Sequence, residues 1–412
     1  MNSRQRVLAA INHTEPDGIP VDLGATPSSG ISAIAYDNLL QLLPFKDRRN
    51  WVYDVVQQVA QPSDEVLDHF RIDAIDLGRT FNTQDKDWYS YTLPNGGTAQ
   101  QPTWFHPQKQ PDGSLRVYKG DEAIAAMPTT AFSYDQIVYP FLDGYPAHYD
   151  TNLDEAMGRV HWAALAHSPW DHSSEPDFWE KLRTHALQLR ASSDRAILLS
   201  AGCNLFEWGT FVRRIDHFLE DLLCAPAEVE RFLDALMERH LSSLEKICRM
   251  VGDTVDIIRL GDDLGMNGGP FMKPATYRQL FKPRHTILCN YIKTHSKMHI
   301  FLHSCGSIYK LIPDLIEAGF EILNPVQTNA QDMQPERLKK EFGAAVTFWG
   351  AGADTRSILN LGTPSQIKDH VRANIEVLSP GGGFIFNTIH NILPDVPPIN
   401  IIAMFEAVDE YR

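Results

Sequence analysis

Short apolar runs alternate with longer amphipathic stretches along the chain, most regularly in its second half. This alternation is typical of a parallel β-sheet whose strands are connected by helices. Seven runs are predicted strands, and an eighth strand is expected, without a defined position, between residues 130 and 165. Eight such units close naturally into a (β/α)8 TIM barrel, so we predict an α/β fold of that class. The seven predicted strands are Ile72–Leu77, Ala196–Ala201, Val255–Leu260, Met298–Leu302, Phe320–Asn324, Ala345–Trp349 and Gly382–Phe386.

The segments between the predicted strands carry helix boundary signals. Thr363 can cap a helix, Pro364 suits its first turn, and Gln366 can close a capping box. The segment 308–316 repeats isoleucine and leucine at helical spacing and ends near Gly319, a residue type that commonly terminates helices. These signals predict the crossover helices that a parallel sheet requires.

Residues 84–150 interrupt this pattern with a segment rich in tyrosine, tryptophan, proline and glycine. Within it, Asn95–Gly96 has the composition of a hairpin turn. We therefore predict an antiparallel β excursion, inserted after the first strand and able to lie over the barrel mouth. A loop without function is an equal alternative for this segment. The whole chain, 1–412, is then a single barrel domain with an insertion.

Composition excludes several classes of protein. With 43% hydrophobic and 22% charged residues among 412, the chain has the profile of a soluble globular enzyme. A net charge of −15 argues against nucleic-acid binding, which needs clustered lysine and arginine. No run approaches the ~20 apolar residues that span a bilayer, and the amino terminus does not resemble a signal peptide, so a cytoplasmic location is expected. Five scattered cysteines do not suggest a disulfide framework.

Candidate metal ligands lie at the ends of two predicted strands. His303 and Cys305 are one residue apart where an apolar strand gives way to a turn, and His390 ends the last strand. In extended backbone, side chains two positions apart point the same way, so His303 and Cys305 can share one ion. Three ligands with a vacant fourth position are typical of catalytic zinc. The alternative is a buried histidine bonded to a backbone carbonyl beside an inert cysteine.

Other polar side chains also follow predicted strands, where barrel active sites are built. Asp262 or Asp263 could be a fourth metal ligand or a hydrogen-bond partner of a ligating imidazole, and one of them could instead cap the helix that follows. Asn324 and Gln327 offer amides that could orient a substrate oxygen, although a turn at Asn324–Pro325 explains Asn324 nearly as well.

Three further residues are candidates for substrate contact or catalysis. Glu207 adds a carboxylate, and Trp208 adds an aromatic wall that would suit a methoxylated ring. Core packing is the simpler explanation of Trp208. Asp354 could bind substrate or cap the helix that begins near Thr363.

Two motifs carry a family resemblance. His303–Gly306 (His-Ser-Cys-Gly) and His390–Pro398, followed by Asn400–Val408, resemble the uroporphyrinogen decarboxylase superfamily, and Arg4–Pro20 is similar to the family's opening segment. The resemblance covers nearly the whole chain and is weakest over residues 84–190. It implies a (β/α)8 barrel. The superfamily contains porphyrinogen decarboxylases and corrinoid-linked methyltransferases.

Two comparisons favour the methyltransferase branch. True uroporphyrinogen decarboxylases carry an arginine-rich segment that gathers the carboxylates of their substrate, whereas Val21–Gly30 contains no basic residue. The methyltransferases hold zinc with a His-x-Cys motif and a distant cysteine on the last strand. His303 and Cys305 match the motif, and His390 stands where the second cysteine is expected. This replacement puts thiol methylation in doubt.

The implied chemistry is transfer of a methyl group from oxygen. One thiolate leaves a zinc centre with a net charge of about +1, which makes it a Lewis acid that prefers oxygen. The resemblance then implies demethylation of a small methoxylated compound, for example an aromatic one, onto a cobalamin-type corrinoid carried by a partner protein. The alternatives are a metal-free decarboxylase of a small acid, with His390 and an aspartate bonding the substrate, and an idle barrel that docks a corrinoid protein. The oligomeric state stays open, with a homodimer as one option.

Overall fold

The computed structural model describes residues 1–150 and 152–412 and has an α/β fold. A parallel sheet of seven strands, in the described part of the chain, follows the sequence order from one edge to the other. Every predicted strand is present, so the parallel sheet is confirmed, and its curvature is consistent with a barrel. Its strands are Ala74–Asp76, Ala196–Gly202, Ile257–Gly261, His299–His303, Ile322–Asn324, Thr347–Trp349 and Phe384–Ile385.

Residues 20–22 connect the two edges of this sheet. Asp22 N donates to Phe386 O (2.9 Å) and Phe386 N donates to Pro20 O (2.8 Å), beyond the last strand. On the other side, Asp73 N donates to Val21 O (2.8 Å), just before the first strand. The eighth position is thus occupied by residues 20–22, and our expectation of a strand between 130 and 165 is wrong. We call the seven strands together with residues 20–22 the ring.

An apolar layer fills the amino-terminal half of the ring. Alternate side chains of the parallel strands form one cluster with Val7, Ala10 and Ile11 of the amino-terminal helix. This helix, Ser3–Ile11, closes the bottom of the ring, and an ion pair from Arg6 to Asp73 (2.8 Å) helps to hold it. The strand side chains in the cluster are Ala74, Ala196, Leu198, Ile257, Phe301, Ile322, Trp349 and Ile385.

The inward positions change from apolar to polar toward the carboxyl ends of the strands. Side chains alternate between the two faces of a strand, so the residue two positions after an inward one also points inward. This step leads from Leu198 to Ser200, from Ile257 to Arg259 and from Phe301 to His303. The carboxyl-terminal half of the ring is therefore lined by polar groups, and that is where candidate functional residues collect.

Helices cover the outside of the ring, and the predicted boundary signals are present. Thr363 and Gln366 form a capping box, and Gly319 ends a helix with φ of +113°. Among the described helices, none combines the length and apolar composition needed to cross a bilayer. The helices are Ser3–Ile11, Ala33–Leu42, Asp64–His69, Asn152–Arg159, His161–Ala164, Phe178–Ser192, Phe206–Arg213, Ile215–Cys224, Pro226–Val251, Pro274–Leu280, Lys282–His295, Ile312–Ala318, Pro335–Phe342, Pro364–Leu378 and Pro398–Asp409.

Besides a two-stranded hairpin of Gly265–Met266 and Gly269–Pro270, the described residues form two smaller sheets of mostly antiparallel strands outside the ring. The predicted turn at Asn95–Gly96 joins Trp88–Thr92 to Thr98–Pro102, which pair as a hairpin. These strands continue a sheet that also holds Ile31–Ser32, Trp51–Asp54 and Val59–Gln61, which we did not predict. The second sheet consists of Gln108–Lys109, Leu115–Lys119, Glu122–Met127 and Asp135–Gln136. It stays a prediction that residues 84–150 are an insertion and that this insertion has a function.

Candidate metal centre

His303, Cys305 and His390 lie together at the carboxyl end of the ring. One ligand atom from each lies within 4.8 Å of the others, close enough to hold a metal ion. Cys305 Sγ is 3.4 Å from His303 Nε2, and the two imidazole rings are 5.6 Å apart between centroids. His303 ends its strand and Cys305 follows it, whereas His390 lies in the loop after the strand Phe384–Ile385 and does not end that strand as we expected. The sequence thus predicted a group that the fold assembles from segments far apart in the chain.

The imidazole of His303 is oriented by Asn324 on the neighbouring strand. Asn324 Nδ2 donates to Trp349 O (2.9 Å), so its Oδ1 is the atom that faces His303 Nδ1 at 2.7 Å. An amide oxygen only accepts, so Nδ1 of His303 carries the proton and Nε2 offers a lone pair toward Cys305. This is the arrangement that metal-ligating histidines typically have. Both ends of the Asn324 amide are used by protein groups, which favours a role in orienting His303, and contact of Asn324 with a substrate oxygen stays a prediction.

Burial determines which of the three candidate ligands, His303, Cys305 and His390, carry a charge. It lowers the pKa of His303 to about 3 and that of His390 to about 3, so both imidazoles are neutral at physiological pH. Burial also raises the pKa of the Cys305 thiol well above its usual value, and the carboxyls of Asp263 and Glu207 add to this shift. Neutral imidazoles are ready to ligate, whereas the thiol must release its proton when a metal binds.

His390 has a backbone conformation that few residue types adopt easily. Its φ is +66°, in the left-handed region, and such residues concentrate at functional sites. Its Nδ1 accepts the backbone N–H of Asn391 (2.8 Å), so the neutral ring carries its proton on Nε2. Ligation through Nε2 requires the other tautomer. A hydrogen bond donated from Nε2 to a substrate, in contrast, needs the tautomer that is present, with the proton on Nε2.

Asp263 is the carboxylate nearest to this group. Its Oδ1 lies 3.6 Å from His303 Nε2 and accepts the backbone N–H of Cys305 (2.8 Å). Its side chain is 36% exposed, so it borders solvent as well as the candidate ligands. Burial raises the pKa of this carboxyl. Asp263 therefore remains the candidate for a fourth ligand or a partner of the ligating imidazole.

Asp262 has a different position from its neighbour. It is fully buried, and its two oxygens accept the backbone N–H groups of Phe206 (3.1 Å) and Glu207 (2.9 Å). His285 Nε2 lies 3.3 Å from Oδ2. Asp262 thus caps the helix Phe206–Arg213, which precedes it in the chain, and its role at the metal centre stays a prediction. We had also expected that one of the two aspartates caps a helix. Asp262 does so, but on the helix before it in the chain and not on the one that follows.

Glu207 and Trp208 begin that same helix. The carboxylate of Glu207 accepts from Asn204 Nδ2, and burial, together with Asp263 and Asp262, raises its pKa well above the usual value. This shift favours the protonated form of the Glu207 carboxyl. Trp208 packs against the main core and meets Phe211 edge-on at 5.7 Å. This packing supports the simpler explanation of Trp208.

Gln327 and Asp354 serve the loops at the carboxyl end of the ring. Gln327 Oε1 accepts from Gly306 N (2.9 Å), and its Nε2 donates to Asn267 Oδ1 (2.9 Å). Asp354 accepts from Arg356 N (2.8 Å) and from Asn329 Nδ2 (3.0 Å), and it is 5% exposed. Both polar groups have protein partners, which favours roles in holding loops, and their contacts with substrate stay predictions.

The sequence reasoning missed Arg259. This residue lies on the strand Ile257–Gly261, two positions before its end, and its side chain is within reach of Ser28 Oγ (Nη2 to Oγ, 3.0 Å). Tyr53 and Ser200 were missed as well. The alternation of inward and outward side chains could have found Arg259 and Ser200, because both occupy inward positions after an apolar one.

Comparisons with known proteins agree with this architecture. A family model described as uroporphyrinogen decarboxylase (URO-D) matches residues 206–411. A methyltransferase from Methanosarcina mazei has a similar structure, with a TM-score of 0.58, 15% identity, and coverage of 100% of this chain and 99% of that one. No curated protein sequence matches the chain.

Two further solved structures are more distant. A B12-independent methionine synthase from Shewanella sp. W3-18-1 has a TM-score of 0.37 and 11% identity, covering 55% of this chain and 66% of that one. A D-psicose 3-epimerase has a TM-score of 0.33 and 10% identity, covering 58% of this chain and 84% of that one.

Proposed function

The chain belongs to the uroporphyrinogen decarboxylase family, and we propose that it is a zinc-dependent methyltransferase. In this proposal it moves a methyl group from a small methoxylated substrate to a corrinoid carried by a partner protein. The observation that carries the proposal is the convergence of His303, Cys305 and His390 within 4.8 Å. The structural similarity to the Methanosarcina mazei protein supports the fold only, because identity is 15%.

The donor set fits zinc. Two imidazoles and one thiolate are among the ligands that zinc prefers, and three of them leave a position for substrate. The tautomer of His303 that Asn324 imposes presents Nε2 as a lone pair, which supports ligation. With one thiolate the net charge would be about +1. Bound zinc would supply Lewis acidity at the oxygen from which the methyl group departs.

A complete (β/α)8 barrel is part of the proposal. Residues 20–22 bond to the segments next to both edge strands, as the missing strand of such a barrel would. Barrel active sites are built at the carboxyl ends of the strands, where the candidate ligands lie. The partner corrinoid would approach this end of the ring, since the amino-terminal helix fills the other.

The residues of the chain would act mainly by position and charge. Methyl transfer by in-line attack requires the methyl carbon to face its acceptor and the departing oxygen to be stabilised. Asn324 holds His303, and Asp263 holds the backbone of Cys305, so both candidate ligands are fixed before substrate arrives. Glu207, whose pKa burial raises well above its usual value, would act as a hydrogen-bond donor if its carboxyl reaches the departing oxygen.

One observation favours a second function, a metal-free decarboxylase of a small acid. His390 Nδ1 accepts from Asn391 N, so Nε2–H of the neutral ring is available to bond a substrate. In this alternative the three side chains meet without sharing an ion. The proton on His390 is thus the structural difference between the two functions.

A methyl-transfer assay with a matched pair of variants tests the proposal. The purified protein is mixed with methoxylated substrates and free reduced cobalamin, and formation of methylcobalamin is followed by absorbance. We expect His303→Ala to lower the rate at least ~100-fold, since it removes a ligand of the Lewis acid. The exposed His295 supplies the control, and His295→Ala should retain the rate. An unchanged rate in His303→Ala contradicts the proposal, and carbon dioxide release without methyl transfer supports the decarboxylase.

A further inference from the structure

Arg259 is a cation inside the ring without a counter-ion. Among the described residues, no carboxylate oxygen lies within 4.0 Å of its guanidinium, and its one hydrogen bond goes from Nη2 to Ser28 Oγ (3.0 Å). Its Nε is buried and has no partner. The residue as a whole is partly buried. A partly buried charge with no paired anion is costly to the fold, and a bound anion would compensate for it.

Two neutral hydroxyl groups, those of Tyr53 and Ser200, also lack a hydrogen-bond partner in the part of the chain that the structure describes. Tyr53 is 6% exposed and Ser200 is 5% exposed, and neither hydroxyl has a hydrogen-bond partner in the described structure. Buried hydroxyls are nearly always bonded, so a hydroxyl without a partner in a protein interior calls for an explanation. Arg259 and Tyr53 are close enough for the guanidinium to act on the pKa of the Tyr53 hydroxyl.

The strand register places these groups beside the candidate metal centre. Ser200 pairs with Arg259 across neighbouring parallel strands, so both point into the ring at the same level. On the other side, Arg259 pairs with Phe301, which lies two residues before His303. At a rise of ~3.3 Å per residue, the Arg259 backbone lies about 7 Å below that of His303. The long side chain of Arg259 can therefore present its guanidinium to a small molecule held at the metal centre.

The neighbouring acids do not explain Arg259. Glu207, Asp263 and Asp76 are near enough to act electrostatically on Arg259, but in the described part of the chain no oxygen of theirs comes within 4.0 Å of the guanidinium, and burial raises the pKa of all three carboxyls. Ser28, the one partner of Arg259, belongs to the segment Val21–Gly30, which contains no basic residue of its own. The interior at this level thus holds one unpaired guanidinium, which matches one anionic group and would leave a polyanion largely unneutralised.

We propose that Arg259, with the hydroxyls of Tyr53 and Ser200, binds a carboxylate of the substrate, which is therefore a small methoxylated carboxylic acid. Arginine suits a carboxylate because its N–H groups match the two oxygens in geometry and charge. The hydroxyls of Tyr53 and Ser200, which have no partner in the described structure, supply two more donors. The methoxy part of this assignment rests on the proposed methyltransferase function, whereas the carboxylate part rests on Arg259, Tyr53 and Ser200 alone.

Binding of matched acid and amide probes tests the assignment. Methoxyacetate, meta-methoxybenzoate and para-methoxybenzoate are each compared with the corresponding amide by titration calorimetry on the purified full chain. We expect at least one acid to bind ~10-fold or more tightly than its amide, because a charge-assisted hydrogen bond is lost in the amide. Arg259→Gln should abolish this preference while zinc content stays unchanged and the thermal unfolding temperature is kept or raised. The exposed Arg249 supplies the control, and Arg249→Gln should keep the preference.

The outcomes separate this assignment from the methyltransferase proposal. The preference for acid should persist after zinc is removed with a chelator, since the carboxylate contacts do not involve the metal. The assignment is overturned if no acid binds, if each amide binds as tightly as its acid, or if Arg259→Gln retains the preference. Failure of methyl transfer alone leaves the acid preference in place and overturns only the methoxy part.

Discussion

Asn324 fixes the tautomer of His303. Its Oδ1 faces His303 Nδ1 at 2.7 Å while its Nδ2 is committed to Trp349 O, so the proton of the imidazole must point away from Cys305. Three neighbouring strands of the sheet thus cooperate to present one nitrogen lone pair. The consequence is a candidate ligand that is oriented before any ion binds.

Removing this support should weaken metal binding without removing a ligand. In Asn324→Leu, we expect zinc affinity to fall about 10- to 100-fold, because His303 loses the acceptor that fixes its ring. Asn324→Asp keeps an oxygen opposite Nδ1 and should lose less. Competition with a chromophoric chelator measures the affinity, and the exposed Asn290 provides the control Asn290→Leu. Equal affinity in wild type and Asn324→Leu would show that the tautomer of His303 does not matter.

The adjacent residues Asp262 and Asp263 should respond in opposite ways. Asp262→Ala removes a helix cap and leaves Nε2 of His285 without its carboxylate neighbour, so the free energy of unfolding should fall by about 1–3 kcal/mol while zinc affinity is kept. Asp263→Ala should lower zinc affinity with a smaller effect on stability. Denaturant unfolding and chelator competition on both variants make the comparison. A reversed pattern would place the metal at Asp262.

Tyr53→Phe should separate stability from binding. The Tyr53 hydroxyl is buried without a partner, so its removal should leave the free energy of unfolding unchanged within about 0.5 kcal/mol, or raise it. Binding of methoxylated acids should weaken. The control is Tyr36→Phe, because Tyr36 Oη accepts from Ser63 N (2.8 Å) and its loss should cost about 1 kcal/mol. A large loss of stability in Tyr53→Phe would mean that the hydroxyl is bonded in the folded protein.

Stability should decrease below neutral pH because of buried histidines such as His161. Burial lowers the pKa of His161 from 6.5 to about 4, so between these values the unfolded chain binds a proton that the folded chain does not. The contribution is fully present above pH 6.5 and is lost as pH falls toward 4, amounting to about 3 kcal/mol. Unfolding free energies from pH 7.5 to 4.5 should have a smaller slope in His161→Leu than in wild type. Equal slopes would indicate that His161 is protonated in the folded state.

The sequence predicted the parallel strands and the candidate ligands for one reason. Each strand is an apolar run, and His303, Cys305 and His390 stand where such runs end, so the pattern and the chemistry coincide. Residues 20–22 were missed because they form no apolar run. Their place between the edges depends on hydrogen bonds to Phe386 and Asp73, which are distant in the chain.

The role of each polar residue depends on the direction in which its side chain points, which the sequence does not show. Asp262 and Asp263 are adjacent, yet one turns to a helix and the other to Cys305. Asn324 was predicted to contact substrate because the sequence does not show that its Nδ2 donates to Trp349 O. Arg259 was treated as part of a strand, although its inward position after Ile257 follows from alternation alone.

Zinc-edge X-ray absorption of the purified protein tests the central claim most directly. We predict one zinc per chain, with one sulfur at ~2.3 Å and two nitrogens at about 2.0–2.1 Å. In Cys305→Ser the sulfur scattering should disappear while the nitrogen scattering remains. A protein loaded with zinc whose coordination lacks sulfur, or one that binds no zinc at all, would contradict the claim that His303, Cys305 and His390 form a metal centre.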